Sequence, residues 1–316
     1  MDPRTAPLYV PREDREHVTN AHCIATLTTR LTTPADLLGA DLSSTVSDRA
    51  DDDMDLFAAI NPLLVVSGFV VGMLVGLTGV GGGSLMTPIL VLLFGVHATT
   101  AVGTDLLYAA ITKTGGTLTH GLKGTVDWRV IGRLAAGSIP ATILTLFALY
   151  ILGIKGHASP PLITTALGIA LVMTAVCVLS HRWLRLLTAT RHAEPDPQWT
   201  AALTTFAGLL LGVFVTLSSV GAGAIGMTAL VLLYPRTPIA RLVGSDIAHA
   251  VPLTLIAGVG HWLLGSVDWV LLSSLVMGSL PGIFFGSHLS ARVPDKVLRP
   301  ILATILVIVG VRMLRA

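Results

Sequence analysis

The sequence predicts an all-α polytopic membrane protein built from a duplicated five-helix unit, and three observations carry that prediction. Hydrophobic residues make up 53% of the 316-residue chain and charged residues only 12%, about half the charge of a soluble domain. Beyond residue 56 the chain is a succession of apolar runs, most long enough to cross a hydrocarbon core of ~30 Å. The later runs also repeat the motifs of the earlier ones in the same order. A mean hydropathy of +0.78 leaves more apolar surface than a soluble fold of this size can hide.

The first 55 residues stand apart. They are polar, rich in Pro, Thr, Asp and Arg, and end in the acidic run Asp51-Asp52-Asp53. They hold no apolar stretch long enough for a signal peptide or a span. They read either as a disordered polar leader or as sequence upstream of a true start at Met54.

The apolar runs fall at 57–77, 84–96, 99–119, 128–152, 161–180, 201–218, 222–234, 240–263, 268–288 and 299–314. Residues 57–180 form a first membrane repeat, 181–200 a cytoplasmic linker and 201–314 a second repeat. About 8–10 transmembrane segments are expected. The runs at 84–96 and 222–234 are short, about 20 Å of helix at ~1.5 Å per residue, and each follows a Gly-rich turn. They read as tilted short spans or as half-helices buried in protein.

The duplication is visible residue by residue. Val80-Gly81-Gly82-Gly83 matches Val220-Gly221-Ala222-Gly223, and Gly103-Thr104-Asp105 matches Gly244-Ser245-Asp246. HGLKGTVDW, from His120, matches HWLLGSVDW, from His261, and Gly137-Ser138-Ile139-Pro140 matches Gly278-Ser279-Leu280-Pro281. The offset is 140 residues and becomes 141 after one insertion. Five crossings per unit make the repeat inverted. Ten crossings also gather most loop Lys and Arg, from Lys123 and Arg129 to Arg292 and Arg299, on one side, which the positive-inside rule makes cytoplasmic. Both termini then lie outside the cytoplasm.

Few residues are equipped for chemistry. Thr78-Gly79-Val80-Gly81-Gly82-Gly83-Ser84 is no dinucleotide fingerprint, because no βαβ unit surrounds it. Its glycines let the chain leave one helix and open the next, where unpaired amides favour an anion. Ser219, Gly221 and Gly223 belong to the second copy of this turn. Close helix packing through small residues is the competing and compatible reading. Asp105 and Asp246 are equivalent acids inside apolar segments, where acids are costly. With Thr104 and Ser245 beside them, they either relay a proton or coupling cation or cap a broken helix. Lys113 stands mid-run with Thr254 at the equivalent position. A cation there suits an anionic substrate, an ion pair with Asp105, or a snorkelling side chain. Asp127-Trp128 and Asp268-Trp269 read as helix N-caps with interfacial aromatic anchors.

These motifs resemble the sulfite exporter TauE/SafE family of predicted permeases. The resemblance covers about residues 57–314 and rests on Gly76–Gly83, Pro88, Gly103-Thr104, Gly124, Asp127, Gly137 and Pro140 with their second-half counterparts. It implies a protein of the inner or plasma membrane that moves small sulfur-containing or organic anions such as sulfite. The second copy departs from the first at Ala222 and Ala224, where the first has Gly82 and Ser84.

The reading is a secondary transporter of a small anion, drawing on a proton or cation gradient and compatible with a homo-oligomer. The residues expected to hold substrate are Thr78, Gly79, Gly81, Gly82, Gly83, Ser84, Lys113, Ser219, Gly221 and Gly223. A membrane-embedded enzyme or a passive anion channel is the alternative; the first needs a denser polar constellation, the second a continuous polar stripe. The ten His and two Cys show no metal-ligand spacing. No cofactor, metal or nucleic acid is expected.

Overall fold

The computed structural model describes residues 62–78, 83–122, 124–154, 161–189, 196–289 and 295–315, all within one unit spanning Asn61–Ala316. The polar leader lies outside the described residues. Among the described residues there are ten helices: α1 Pro62–Thr78, α2 Gly83–Leu92, α3 Ala98–Leu122, α4 Trp128–Ile151, α5 Pro161–Ala189, α6 Pro197–Ser218, α7 Ala224–Leu233, α8 Ile239–Leu263, α9 Trp269–Leu289 and α10 Asp295–Arg315. They fall on the ten apolar runs. The two Gly-led helices, α2 and α7, are the shortest, at 10 residues each. Helix α5 continues to Ala189, so the first part of the expected linker is helical.

Local signals set the helix ends. Asp127 N-caps α4, its carboxylate accepting from the amides of Arg129 and Val130. Asp268 does the same for α9, accepting from Leu271 N at 2.9 Å. Each cap spares a helix an unpaired donor. The adjoining Trp128 and Trp269 are exposed, as interfacial anchors are.

Among the described residues, five helices, α4 to α6, α8 and α9, are long and apolar enough to cross a membrane by length and composition. Helix α3 is as long as α8 but carries a polar load, and its Thr99, Thr100, Thr104 and Asp105 are buried against other helices rather than turned to lipid. Large apolar side chains such as Leu144, Phe147, Phe284 and Ile308 face outward instead.

Close backbone approaches reveal the helix directions. A Cβ on Gly68 or Gly72 of α1 would strike Leu275 or Ser279 of α9, and one on Gly278 or Gly282 of α9 would strike Val65 or Phe69 of α1. Positions rise together, so α1 and α9 run parallel. Gly208 and Gly212 of α6 meet Leu134 and Ser138 of α4 in the same way. Each repeat thus lays its first helix against the fourth helix of the other, the most extensive helix pairing among the described residues. Small residues permit this separation, which maximises dispersion where hydrophobic driving force is weak.

The equivalent helices α3 and α8 run antiparallel. Gly103 meets Ser266 and His261, Gly258 meets Leu107, Gly116 meets Ile247, and Gly244 meets Thr125. Helices α5 and α10 are also antiparallel, Gly168 lying on Leu314 and Gly310 on Val172. Equivalent helices that pack against each other head to tail require a pseudo-twofold axis perpendicular to them, in the membrane plane. The repeat is therefore inverted. Thr104 at the start of α3 meets the cap of α9, and Ser245 at the start of α8 meets the cap of α4, so α1, α3 and α9 share one direction and α4, α6 and α8 the other; the chain turns back between α1 and α3 and between α6 and α8, where the short helices α2 and α7 lie. An ion pair of Arg241 with Asp127 at 3.8 Å sits on the face shared by the start of α8 and the α3–α4 turn.

Candidate functional site

The pseudo-twofold axis crosses α3 and α8 near Ile111–Thr112 and Pro252–Leu253, interpolating between the contacts above. Lys113 is within one turn of that crossing. Asp105 and Asp246 lie about 10 Å to either side of it along the helices, at ~1.5 Å per residue. The two acids are buried, 0% and 4% exposed. The centre thus holds one ammonium flanked by two carboxylates, and Lys113 feels the charge of both.

Each acid meets the short helix of its own repeat. Asp105 Oδ2 accepts a hydrogen bond from Thr87 Oγ1 of α2. Asp246 lies against Gly226 of α7, where an added Cβ would come within 2.2 Å of its Oδ1. Oδ1 of each acid has no hydrogen-bond partner among the described residues. Neither acid occupies the N-cap of its helix; both are inside it.

The second Gly-rich turn closes on this centre. Ser219 ends α6 in the left-handed region, φ 57°, a conformation costly for a residue with a Cβ. Its hydroxyl faces Asp105 but falls short of hydrogen-bonding geometry. Gly221 and Gly223 follow at φ 113° and 146°, values open to glycine alone in practice. The turn directs the Ala222 carbonyl at Lys113, whose Nζ donates to it at 2.6 Å. A cation of the first repeat is thereby bound to the loop of the second. The amides of Ile225 and Gly226 both donate to Gly221 O at 3.2 Å, and Met227 N to Gly223 O at 2.9 Å. Those of Gly221 to Ala224 take no part in these bonds.

The structure therefore brings Lys113, Asp105, Asp246, Ser219, Gly221 and Gly223 towards one centre. Gly79, Gly81 and Gly82 lie outside the described residues. Thr78 closes α1, and Gly83 and Ser84 open α2; the side chains of these three are likewise undescribed. Thr104 and Ser245 act elsewhere. Thr104 Oγ1 accepts from the Asp268 amide at 3.1 Å and Ser245 Oγ from the Asp127 amide at 2.8 Å, each tying its helix to a capping turn of the other repeat.

Other polar groups were not singled out by the sequence pattern. Thr87 is one. His249 is another, 2% exposed, its Nε2 2.8 Å from Ser138 Oγ of α4. Its place one turn after Asp246 was the available clue, since helical i, i+3 pairs share a face. Tyr108 is its counterpart in the first repeat, fully buried and turned toward Ser279, the counterpart of Ser138.

The family profile described as "Sulfite exporter TauE/SafE" matches residues 64–313, nearly the whole helical region. The chain belongs to the TauE/SafE family. It is 36% identical over 252 residues to the probable membrane transporter protein YjnA of Bacillus subtilis, an alignment covering 79% of this chain and 98% of YjnA. It is 25% identical over 243 residues to the probable membrane transporter protein YdhB of the same organism, covering 75% and 93%. A probable membrane transporter protein of Methanocaldococcus jannaschii is 25% identical over 275 residues, covering 82% and 97%. No solved structure matches the chain. As a TauE/SafE protein this chain is a multi-pass transporter of the inner or plasma membrane.

Proposed function

We propose that the chain is a secondary transporter of a small anion, of the sulfur oxyanion class that includes sulfite, and that Lys113 is the cation the anion meets at the centre. The observation that carries this reading is the Lys113 ammonium beside the inverted-repeat axis, held at 2.6 Å by the Ala222 carbonyl of the opposite repeat. With this one neutral acceptor among the described residues, an ammonium with three N–H groups keeps donor capacity. An arriving anion takes the place of the carbonyl. The freed turn then presents the amides near Gly223 and Ala224, at the positive end of α7. Because the contact joins the two repeats, exchanging carbonyl for anion changes what holds them together, which is the step alternating access requires. The family description supports the sulfur oxyanion class. Thr254 in place of a second lysine makes the site one-sided.

The test is [35S]sulfite counterflow in proteoliposomes with wild type and Lys113→Gln. Losing a charge-assisted hydrogen bond of about 1.5–3 kcal/mol predicts about a ten- to hundredfold lower rate, or a matching rise in half-saturation. The protein should stay monodisperse in detergent. Wild-type flux in a folded Lys113→Gln protein overturns the assignment.

A further inference from the structure

A groove opens along the seam between α4 and α6. It has a volume of about 500 Å³ and is walled by Ala136, Pro140 and Leu144 of α4, Leu162 of α5, and Leu209 and Val213 of α6. Leu144 and Leu209 are exposed, so the groove faces outward, where a membrane protein meets lipid. The Thr145 hydroxyl on its wall is taken by Ala141 O of its own helix at 2.7 Å. Along α4 the groove extends from Ala136 to Leu152, about 24 Å at ~1.5 Å per residue. That exceeds half of a hydrocarbon core of ~30 Å, so one acyl chain of one leaflet has room along it.

The duplication provides an internal control. The counterpart seam, between α9 and α1, carries Met277, Phe285, Phe69 and Met73 where the groove has Ala136, Leu144, Leu209 and Val213. The Phe69 and Phe285 rings approach across it, their centroids 6.1 Å apart. The two seams also differ in charge. Arg129 and Arg133 precede the groove on α4, and Arg133 shares a face with Ala136 and Gly137 through i, i+3 and i, i+4 spacing. Their counterparts on α9 are Val270 and Ser274. The seam with smaller walls thus has two arginines beside it, and the seam with bulkier walls has neither. Arg133 donates to the Tyr234 hydroxyl at 3.2 Å, one neutral acceptor for a group with five N–H donors. Arg129 is exposed. Among the described residues, the ion pair at this end of α4 joins Arg241 to Asp127 and involves neither arginine. Helical side chains lean towards the N-terminus, so both arginines extend towards the end of α4 marked by the exposed Trp128, the level of an interfacial anchor.

We propose that this groove binds one anionic phospholipid of the cytoplasmic leaflet, with an acyl chain between α4 and α6 and the phosphate held by Arg129 and Arg133. Charge complementarity selects this occupant. The apolar walls suit any acyl chain, but the arginines at the mouth favour a headgroup of net negative charge, and a guanidinium takes a phosphate bidentately. A zwitterionic lipid brings its own cation to the same place. The basic loops assign this mouth to the cytoplasmic leaflet, whose surface anionic lipids make negative. The walls come from α4 and α5 of the first repeat and α6 of the second, so a bound lipid adds contacts between the repeats and stabilises the folded protein as its occupancy rises.

The experiment uses the full chain purified in detergent. Retained lipid is counted by native mass spectrometry and unfolding is followed on heating, so the readout is independent of transport. The probes are dioleoyl-phosphatidylglycerol and dioleoyl-phosphatidylcholine, which share their acyl chains. Wild type should bind the phosphatidylglycerol at least about tenfold more tightly, the value of a charge-assisted contact, and gain the larger rise in unfolding midpoint from it. Arg129→Gln combined with Arg133→Gln should erase the preference and leave phosphatidylcholine retention unchanged. Leu144→Phe combined with Leu209→Phe copies Phe285 and Phe69 onto exposed positions and should lower retention of both lipids. Equal affinity of wild type for the two lipids overturns the proposal. So does a preference that survives loss of both arginines, or undiminished retention in the phenylalanine variant, each read on monodisperse protein. A dimer mass that excludes lipid also overturns it and marks the groove as an interface between copies. The two variants alter separate side chains, so either one decides the matter if the other fails to fold.

Discussion

Gly226 is the position where one methyl group reports on the buried acid. A Cβ there would sit 2.2 Å from Asp246 Oδ1 and 3.5 Å from Leu211 Cδ1, the first far inside the ~3.5 Å of a comfortable carbon contact. Asp246 is 4% exposed, so the carboxylate has little room to withdraw. Overpacking of this kind costs about 1–3 kcal/mol. Against that, exchanging glycine for alanine inside a helix contributes about 1 kcal/mol of propensity. Gly226→Ala should therefore destabilise by up to about 2 kcal/mol. The argument makes a sharper claim about the double mutant. In an Asp246→Ala background the clash is gone, and Gly226→Ala should become neutral or stabilising by about 1 kcal/mol. Unfolding midpoints of the four purified proteins, followed by loss of the monodisperse peak on heating, close the cycle. An equal cost of Gly226→Ala in both backgrounds would show that α7 does not rest on the carboxylate.

Two further outcomes follow from the turn and the topology. Ser219→Gly relieves a left-handed residue and should raise the unfolding midpoint by the equivalent of about 1 kcal/mol, while Gly221→Ala, forced to φ 113°, should lower it by about 1–3 kcal/mol; shifts of the same sign in both would refute the strain argument. Reporter fusions at residues 190–195 should read cytoplasmic and fusions at the C-terminus external, since the antiparallel α5 and α10 end on opposite faces and the basic loops cluster with the former; a cytoplasmic C-terminus would reverse the orientation.

Much of the architecture was legible because a membrane imposes a simple code. A bilayer demands apolar segments of set length, so composition alone announces the spans, and a duplicated motif such as Gly103-Thr104-Asp105 with Gly244-Ser245-Asp246 announces the repeat. Capping is local, so Asp127 and Asp268 were recognisable beside their tryptophans. Lys113 stood out because a lysine inside an apolar run has few inexpensive roles. What the chain alone did not reveal was how the two repeats engage. That Lys113 reaches the Ala222 carbonyl of the other repeat, and that Thr104 and Ser245 serve each other's capping turns, are facts of tertiary packing. Hydropathy reads one helix at a time, and a buried threonine on a single helix looks like any other small residue. Only the interlocking of α1 with α9 and α4 with α6, through glycines that let backbones nearly touch, decides what such a hydroxyl faces, because contacts between residues far apart in sequence depend on the register of both helices at once.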